Sequence, residues 1–409
     1  MADIKPFRAI RPAEGYSELI ASLPYDVFNR EEAYLRTRGD EHSFLRIDRP
    51  ETQFAPDYDM YAPEVYQKAS QMLSDQIKAG EFIQDEKPCF YVYSQTMDGR
   101  TQTGIVAVSS VQDYLDNIIK KHENTREDKE IDRIKHVDTC NAQTGPIFLA
   151  YRKSEIISSI ISEAMKTAPI FDFEKENVRQ RGWIIDKEDE INAINAAFSK
   201  MDSIYIADGH HRCASACKVA VKRRLDPNVP MDTEAEHFLS VLFPDEELMI
   251  MDYNRVVKDL NGMTKDEFLK IIGNVYKVSE SDVPVKPEKK GECGLLLQDK
   301  WFKLEYDQSK LIGDPVKDLD VAILQDKILS PYLGIDDPKT NKRIDFVGGI
   351  RGLAELERRC KSDCIVAFAM YPTDIHELFD VADAGLLMPP KSTWFEPKLL
   401  SGLYIHDIS

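Results

Sequence analysis

The sequence has no run approaching the ~18 consecutive apolar residues of a membrane-spanning helix. Its start, Met1-Ala2-Asp3-Ile4-Lys5-Pro6-Phe7, lacks the charged-then-apolar order of a secretory signal. Cysteine is sparse: seven residues, an odd number without regular spacing, which excludes a disulfide framework and fits reduced thiols. No segment is of low complexity and no repeat recurs at solenoid periods. Together these absences predict a cytoplasmic protein.

Positive charge is also in short supply. The chain has 53 Lys and Arg against 71 Asp and Glu, a formal net charge of −18. Such a surface repels a phosphate backbone, so general nucleic-acid binding is excluded unless a basic patch is strongly local. An anionic ligand must therefore be captured by a few clustered donors, which points to a small molecule in a pocket. Familiar signatures are missing as well. There is no Gly-x-x-x-x-Gly-Lys-Ser/Thr loop, and Gly348-Gly349-Ile350-Arg351-Gly352 does not have dinucleotide-fingerprint spacing. His122-Glu123 continues into Asn124-Thr125-Arg126 and so forms no His-Glu-x-x-His, and no nucleophile elbow occurs. Nothing in the sequence reports an oligomeric state.

What remains is globular composition, 43% hydrophobic and 30% charged, in a chain of 409 residues. That length predicts two lobes, set here as 1–250 and 251–409. Pro24-Tyr25-Asp26-Val27 and Ser43 to Pro50 read as extended pieces. Helical spacing of Val65, Ala69, Met72 and Ile77 predicts a helix from Tyr61 to Gly80. Pro88–Gln95 and Thr103–Val108 read as strands joined at Asp98-Gly99, a hairpin signal. One long charged helix is predicted from about Val111 to beyond Arg133. Strands at Ile147–Tyr151, Gly182–Ile185, Ile204–Ala207, His237–Phe243 and Ile365–Met370 alternate with helices. The resulting class is α/β, with mixed α+β sheets.

The densest chemistry lies at Ala207-Asp208-Gly209-His210-His211-Arg212. A buried strand ends at a carboxylate, turns on glycine and enters a helix through two imidazoles and a guanidinium. A helix N-terminus offers unpaired N–H groups and the positive end of a dipole, which suit phosphate. Gly209 permits close backbone approach, and Arg212 can grip oxygens with two donors. Asp208 can hold Mg²⁺ or accept a proton, and His210 and His211 can donate or relay protons. Two alternatives stay open: a capped turn with surface histidines, or a zinc site from His210, His211, Cys213 and Cys217.

Two further clusters are weaker on residue types alone. His122 and Glu123, with Arg126 and Lys129 beyond them, place a carboxylate among cations, as a general base requires, although a charge-dense segment is equally a solvated face. Pro389-Pro390-Lys391-Ser392-Thr393-Trp394-Phe395 sets hydroxyls beside a lysine in a proline-stiffened loop, which suits a zwitterion or phosphate, or is simply an exposed loop.

Taken in order, Pro24 to Val27, Ser43 to Arg46, His122 to Thr125 with Asp132-Arg133, Ala207 to Arg212, Tyr253 to Val256 and Met388 to Ser392 resemble the bacterial and archaeal domain of unknown function 1015 over essentially the whole chain. More distantly, three clusters resemble the free L-serine kinases of the ParB/sulfiredoxin-like superfamily. That resemblance implies a ParB/sulfiredoxin-like nucleotide-binding core, ADP or ATP as phosphoryl donor with Mg²⁺, and phosphoryl transfer to a small hydroxyl metabolite such as L-serine. It further implies that Glu123, with His122 and Asp208, is catalytic. Gly209, His210, His211 and Arg212 would line the nucleotide phosphates, and Lys391, Ser392 and Thr393 the substrate. Trp394 and Phe395 stand where the serine kinases carry basic, polar residues. A phosphoserine phosphatase and a nucleotide-binding regulator without turnover are the alternative functions.

Overall fold

The computed structural model describes residues 1–227, 230 and 233–409. The chain forms two compact units, Met1–Leu248 with Pro397–Ser409, and Met249–Glu396. The last thirteen residues thus belong to the first unit and not to the C-terminal lobe in which their sequence position put them. Among the described residues, no helix is long and apolar enough to cross a membrane.

The first unit is built on a nine-stranded mixed sheet. From the edge its order is Ile119–Lys120, Ile204–Asp208, Ile147–Tyr151, His237–Pro244, Arg100–Ser110, Phe90–Met97, Val178–Ile185 and Phe171–Lys175, with Ile4–Lys5 also paired to Arg100–Ser110. Ile147–Tyr151 and His237–Pro244 run parallel and are buried along their whole length, and for that reason both are mostly apolar, His237 and Ser240 apart. The hairpin between Phe90–Met97 and Arg100–Ser110 turns at Asp98 and Gly99, both at positive φ (50° and 79°), as a two-residue turn matched to strand twist requires. The helix His210–Arg224 packs through Cys213, Ala216, Cys217 and Ala220, which follow at helical spacing. These small side chains let it join Ile206, Leu149 and Phe238 of the sheet in one core.

Two sequence expectations fail locally. Tyr25–Val27 is a 3₁₀ turn and Leu45–Asp48 a short helix, so neither N-terminal piece is extended. The long charged helix does not exist as one element. It divides into a helix Val111–Leu115, a two-residue strand Ile119–Lys120, a loop over 121–126, and a helix Glu127–Cys140. The break has a physical cause: Ile118 and Ile119 seek the core, Ile119 pairs with Ile204, and Asn117 takes a left-handed conformation (φ 58°) that ends the first helix.

The second unit carries a six-stranded antiparallel sheet ordered Tyr276–Ser281, Lys300–Tyr306, Glu292–Leu297, Val366–Met370, Tyr253–Val257 and Ile344–Gly348. Helix Gly352–Ser362 contributes Leu356 to the core formed with Val256, Leu296, Val347 and Ala367.

Candidate functional site

The strand Ile204–Asp208 delivers its terminal carboxylate to the start of helix His210–Arg224. Its pairing with Ile147–Tyr151 shifts register between Ile206 and Asp208. Gly209 then adopts φ +91°, ψ 29°, and no side chain caps the helix that follows. A Cβ at Gly209 would stand 3.2 Å from both Nε and Nη2 of Arg212. The turn therefore needs glycine twice over, for its left-handed backbone and for the guanidinium lying across it. The reading of Asp208 as a helix cap over surface histidines does not hold. Asp208 Oδ1 accepts from the adjacent Gly209 N–H at 2.7 Å, and His210 is buried.

Asp208 Oδ2 accepts from Lys398 Nζ at 2.9 Å. Burial works against the carboxylate's charge, but Lys398 and then Arg212 outweigh it and hold Asp208 well below the usual carboxylate range. Sequence reasoning missed Lys398 entirely; it lies 190 positions away and carries no local motif. Its presence bears on magnesium. Both oxygens of Asp208 are engaged, an ammonium occupies the position a cation would take, and the described residues contain no group of three His, Cys, Asp or Glu able to hold a metal. Asp208 as arranged is a poor fit for a protein-held Mg²⁺. The zinc alternative lacks support on the same count, since Cys213 and Cys217 point into the sheet core.

His122 and His210 meet edge to face, ring centroids 4.5 Å apart. His122 is buried, is hydrogen-bonded to the Ile206 backbone, and is pushed by burial down to about 4. Burial, and then His122, likewise depress His210 far below its usual value. Both rings are neutral at pH 7. Three buried nitrogens around this turn have no hydrogen-bond partner among the described residues: His122 Nδ1, His210 Nε2 and Arg212 Nε. Arg212 is otherwise fixed by donating from Nη1 to the Pro146 carbonyl at 2.5 Å. His211 points elsewhere, its Nδ1 accepting from the Arg126 N–H at 3.3 Å, and burial lowers it as well.

His122 and Glu123 sit in the 121–126 loop and not on a helix, which corrects the expected placement. Glu123 is half-buried and has a polar partner of its own. The loop is tied down at its far end by Glu130, which accepts from Thr125 and Lys218. Beneath the turn, a cavity of about 30 Å³, enough for water, is bounded by Arg212, Arg133, His136, Thr144 and Asp48. Arg133 pairs with Asp132 and stacks 4.1 Å over the Tyr25 ring. Thus Asp208 to Arg212, His122, Glu123, Asp132-Arg133 and Tyr25 all belong to the first unit.

Lys391, Ser392 and Thr393 belong to the second unit. Lys391 takes φ 60°, its ammonium lies 5.6 Å from the Tyr253 ring centroid, and its carbonyl accepts from Arg255 at 3.1 Å. The Ser392 hydroxyl donates to the Pro389 carbonyl at 2.6 Å, and its own carbonyl accepts from Thr373. The Tyr253-Asn254-Arg255-Val256 segment therefore has a structural task, holding this turn in shape. Burial without a carboxylate partner brings Arg255 down to about 10.

The chain belongs to the family described as protein of unknown function (DUF1015), whose model matches residues 4–322. Solved structures that match include a mutant free serine kinase in complex with AMP, at 14% identity and a TM-score of 0.37, covering 71% of this chain and 87% of that one. A mutant free serine kinase in complex with ADP matches at 14% and 0.35, covering 72% and 88%. SbnI with a C-terminal truncation, from Staphylococcus aureus, matches at 12% and 0.37, covering 72% and 85%. No curated protein matches the chain.

Proposed function

We propose that this member of the DUF1015 family is a small-molecule kinase that moves a phosphoryl group between ADP or ATP and a hydroxyl metabolite, L-serine being the first acceptor to test. The observation that carries the proposal is the uncapped helix start at Gly209, ringed by unpartnered nitrogens of His122, His210 and Arg212. Buried polar atoms without partners are costly, so a cluster of them at a helix N-terminus fits an anion that completes them on binding. The backbone of Gly209 to His211 and the Arg212 guanidinium grip the nucleotide phosphates. Asp208 positions the Lys398 ammonium beside them. No step is assigned to a metal held by Asp208.

Transfer breaks the bond between the terminal phosphorus and its bridging oxygen on the nucleotide and forms one to the acceptor oxygen. The acceptor's proton passes to Glu123, and the nucleotide leaves as AMP or ADP. Positioning and charge stabilisation do most of this work. Glu123→Gln separates binding from chemistry. ADP affinity should stay within about twofold, while turnover falls by two orders of magnitude or more, the usual range for a lost general base. Full turnover in the variant would refute the role of Glu123. Release of inorganic phosphate from phosphoserine without nucleotide would favour a phosphatase.

A further inference from the structure

A second cavity of about 310 Å³ lies in the first unit beside Tyr25 and Arg133. This is within the size range of small-molecule sites, ~300 to 1,000 Å³. Tyr25 and Arg133 also line the small cavity beneath Arg212, so their stacked pair is the partition between the two spaces. The larger one thus lies across that pair from the small cavity that Arg212 lines.

Its charges fall into two groups. Arg49 is buried and committed to an ion pair: Nε donates to Glu51 at 2.6 Å, and Nη1 to the carbonyls of Tyr25 and Phe28. Arg133 is buried and paired with Asp132, which also accepts from the Tyr66 hydroxyl at 3.0 Å. These two arginines build the walls. Arg30 and Lys129 line the same cavity, and neither has a carboxylate salt-bridge partner among the described residues. Among the described residues, Arg30 donates only to the Tyr58 carbonyl, at 2.7 Å, which leaves further guanidinium N–H groups open. Asp26, at the same cavity, is likewise without an ion-pair partner among the described residues, and its charge reaches His211. The uncommitted charges lining this pocket are therefore two cations and one anion.

We infer that this pocket is the acceptor site and that it takes a zwitterionic amino acid, its carboxylate held by Arg30 and Lys129 and its ammonium by Asp26. The assignment rests on the kinase reading above and relocates the acceptor from the Lys391–Thr393 turn to the first unit. It also gives a role to the Tyr25-Asp26 segment, which the catalytic proposal leaves unused.

Calorimetric titration of the full-length chain with L-serine and with O-phospho-L-serine, without nucleotide, tests it. The wild type should bind at least one of the two, and Arg30→Gln with Lys129→Gln should weaken that binding at least tenfold while leaving ADP affinity unchanged. Met60→Trp, which fills the pocket without altering charge, should weaken it as well. Lys129→Gln alone, on a half-exposed side chain, keeps the test open should the double variant fold poorly. Wild-type-like binding by the charge variants, loss on Lys391→Ala instead, or no binding of either compound by the wild type would overturn the assignment. The two claims fail separately. Phosphoryl transfer that survives the pocket variants defeats only the pocket, whereas pocket-dependent binding without any transfer defeats only the kinase.

Discussion

At the scale of single residues, the site runs on neutral imidazoles and one committed carboxylate. His122, at about 4, is uncharged at neutral pH because burial denies its cation water. The sign of the consequence follows. Between pH 4 and the unfolded value of 6.5, the unfolded chain binds a proton that the folded chain refuses. Stability from this residue is therefore fully present above about pH 6.5 and is lost as pH falls towards 4, by about 3 kcal/mol at most. Urea unfolding at pH 7 and pH 5 should show a smaller acid loss in His122→Gln than in the wild type. Equal losses would mean that the imidazole is not excluded from protonation. The proposed role of Glu123 as a base was suggested only by the motif that it shares with other proteins. The loop that carries Glu123 is anchored through Thr125, Glu130 and Lys218, which no single window of sequence brings together.

At the scale of elements, the strand-to-helix turn was fully legible. An apolar strand, a glycine and an alanine-rich helix each follow a local rule, and Ile204–Asp208 and His210–Arg224 form where those rules put them. Gly209→Ala should cost about 1–2 kcal/mol for the left-handed backbone alone. It should also weaken ADP binding, because the new Cβ displaces the Arg212 guanidinium; urea unfolding and calorimetry check the two effects. Unchanged stability and affinity would show that the turn tolerates a side chain. The segment 111–133 was misread because its charged surface imitates a solvated helix, whereas Ile119 is claimed by a strand partner 85 residues later in the chain. Local periodicity cannot register such a tertiary demand. Pro24–Val27 and Ser43–Pro50 failed for a related reason: pieces this short, each with a single proline and mixed polar and apolar residues, fit a turn or short helix as well as an extended segment.

At the scale of the whole molecule, the acidic chain with its −18 charge collects positive groups locally, and one of them arrives from the far end. Pro397–Ser409 rejoins the first unit, pairing Ile405 with Ile10 and Ser401 with Ser22, and so brings Lys398 to Asp208. Lys398→Met should destabilise the protein, since it strands a carboxylate, and adding Asp208→Asn should restore part of the loss. Additive losses in urea unfolding would show that the pair is not coupled. The central claim remains that this assembly transfers phosphate. Its most direct test is ³¹P NMR of the full-length protein incubated with L-serine and ADP or ATP, with and without Mg²⁺. The account predicts a phosphomonoester resonance that grows as the nucleotide loses its terminal phosphate and that is absent with Glu123→Gln. Nucleotide that binds yet stays intact beside a panel of hydroxyl amino acids would contradict it.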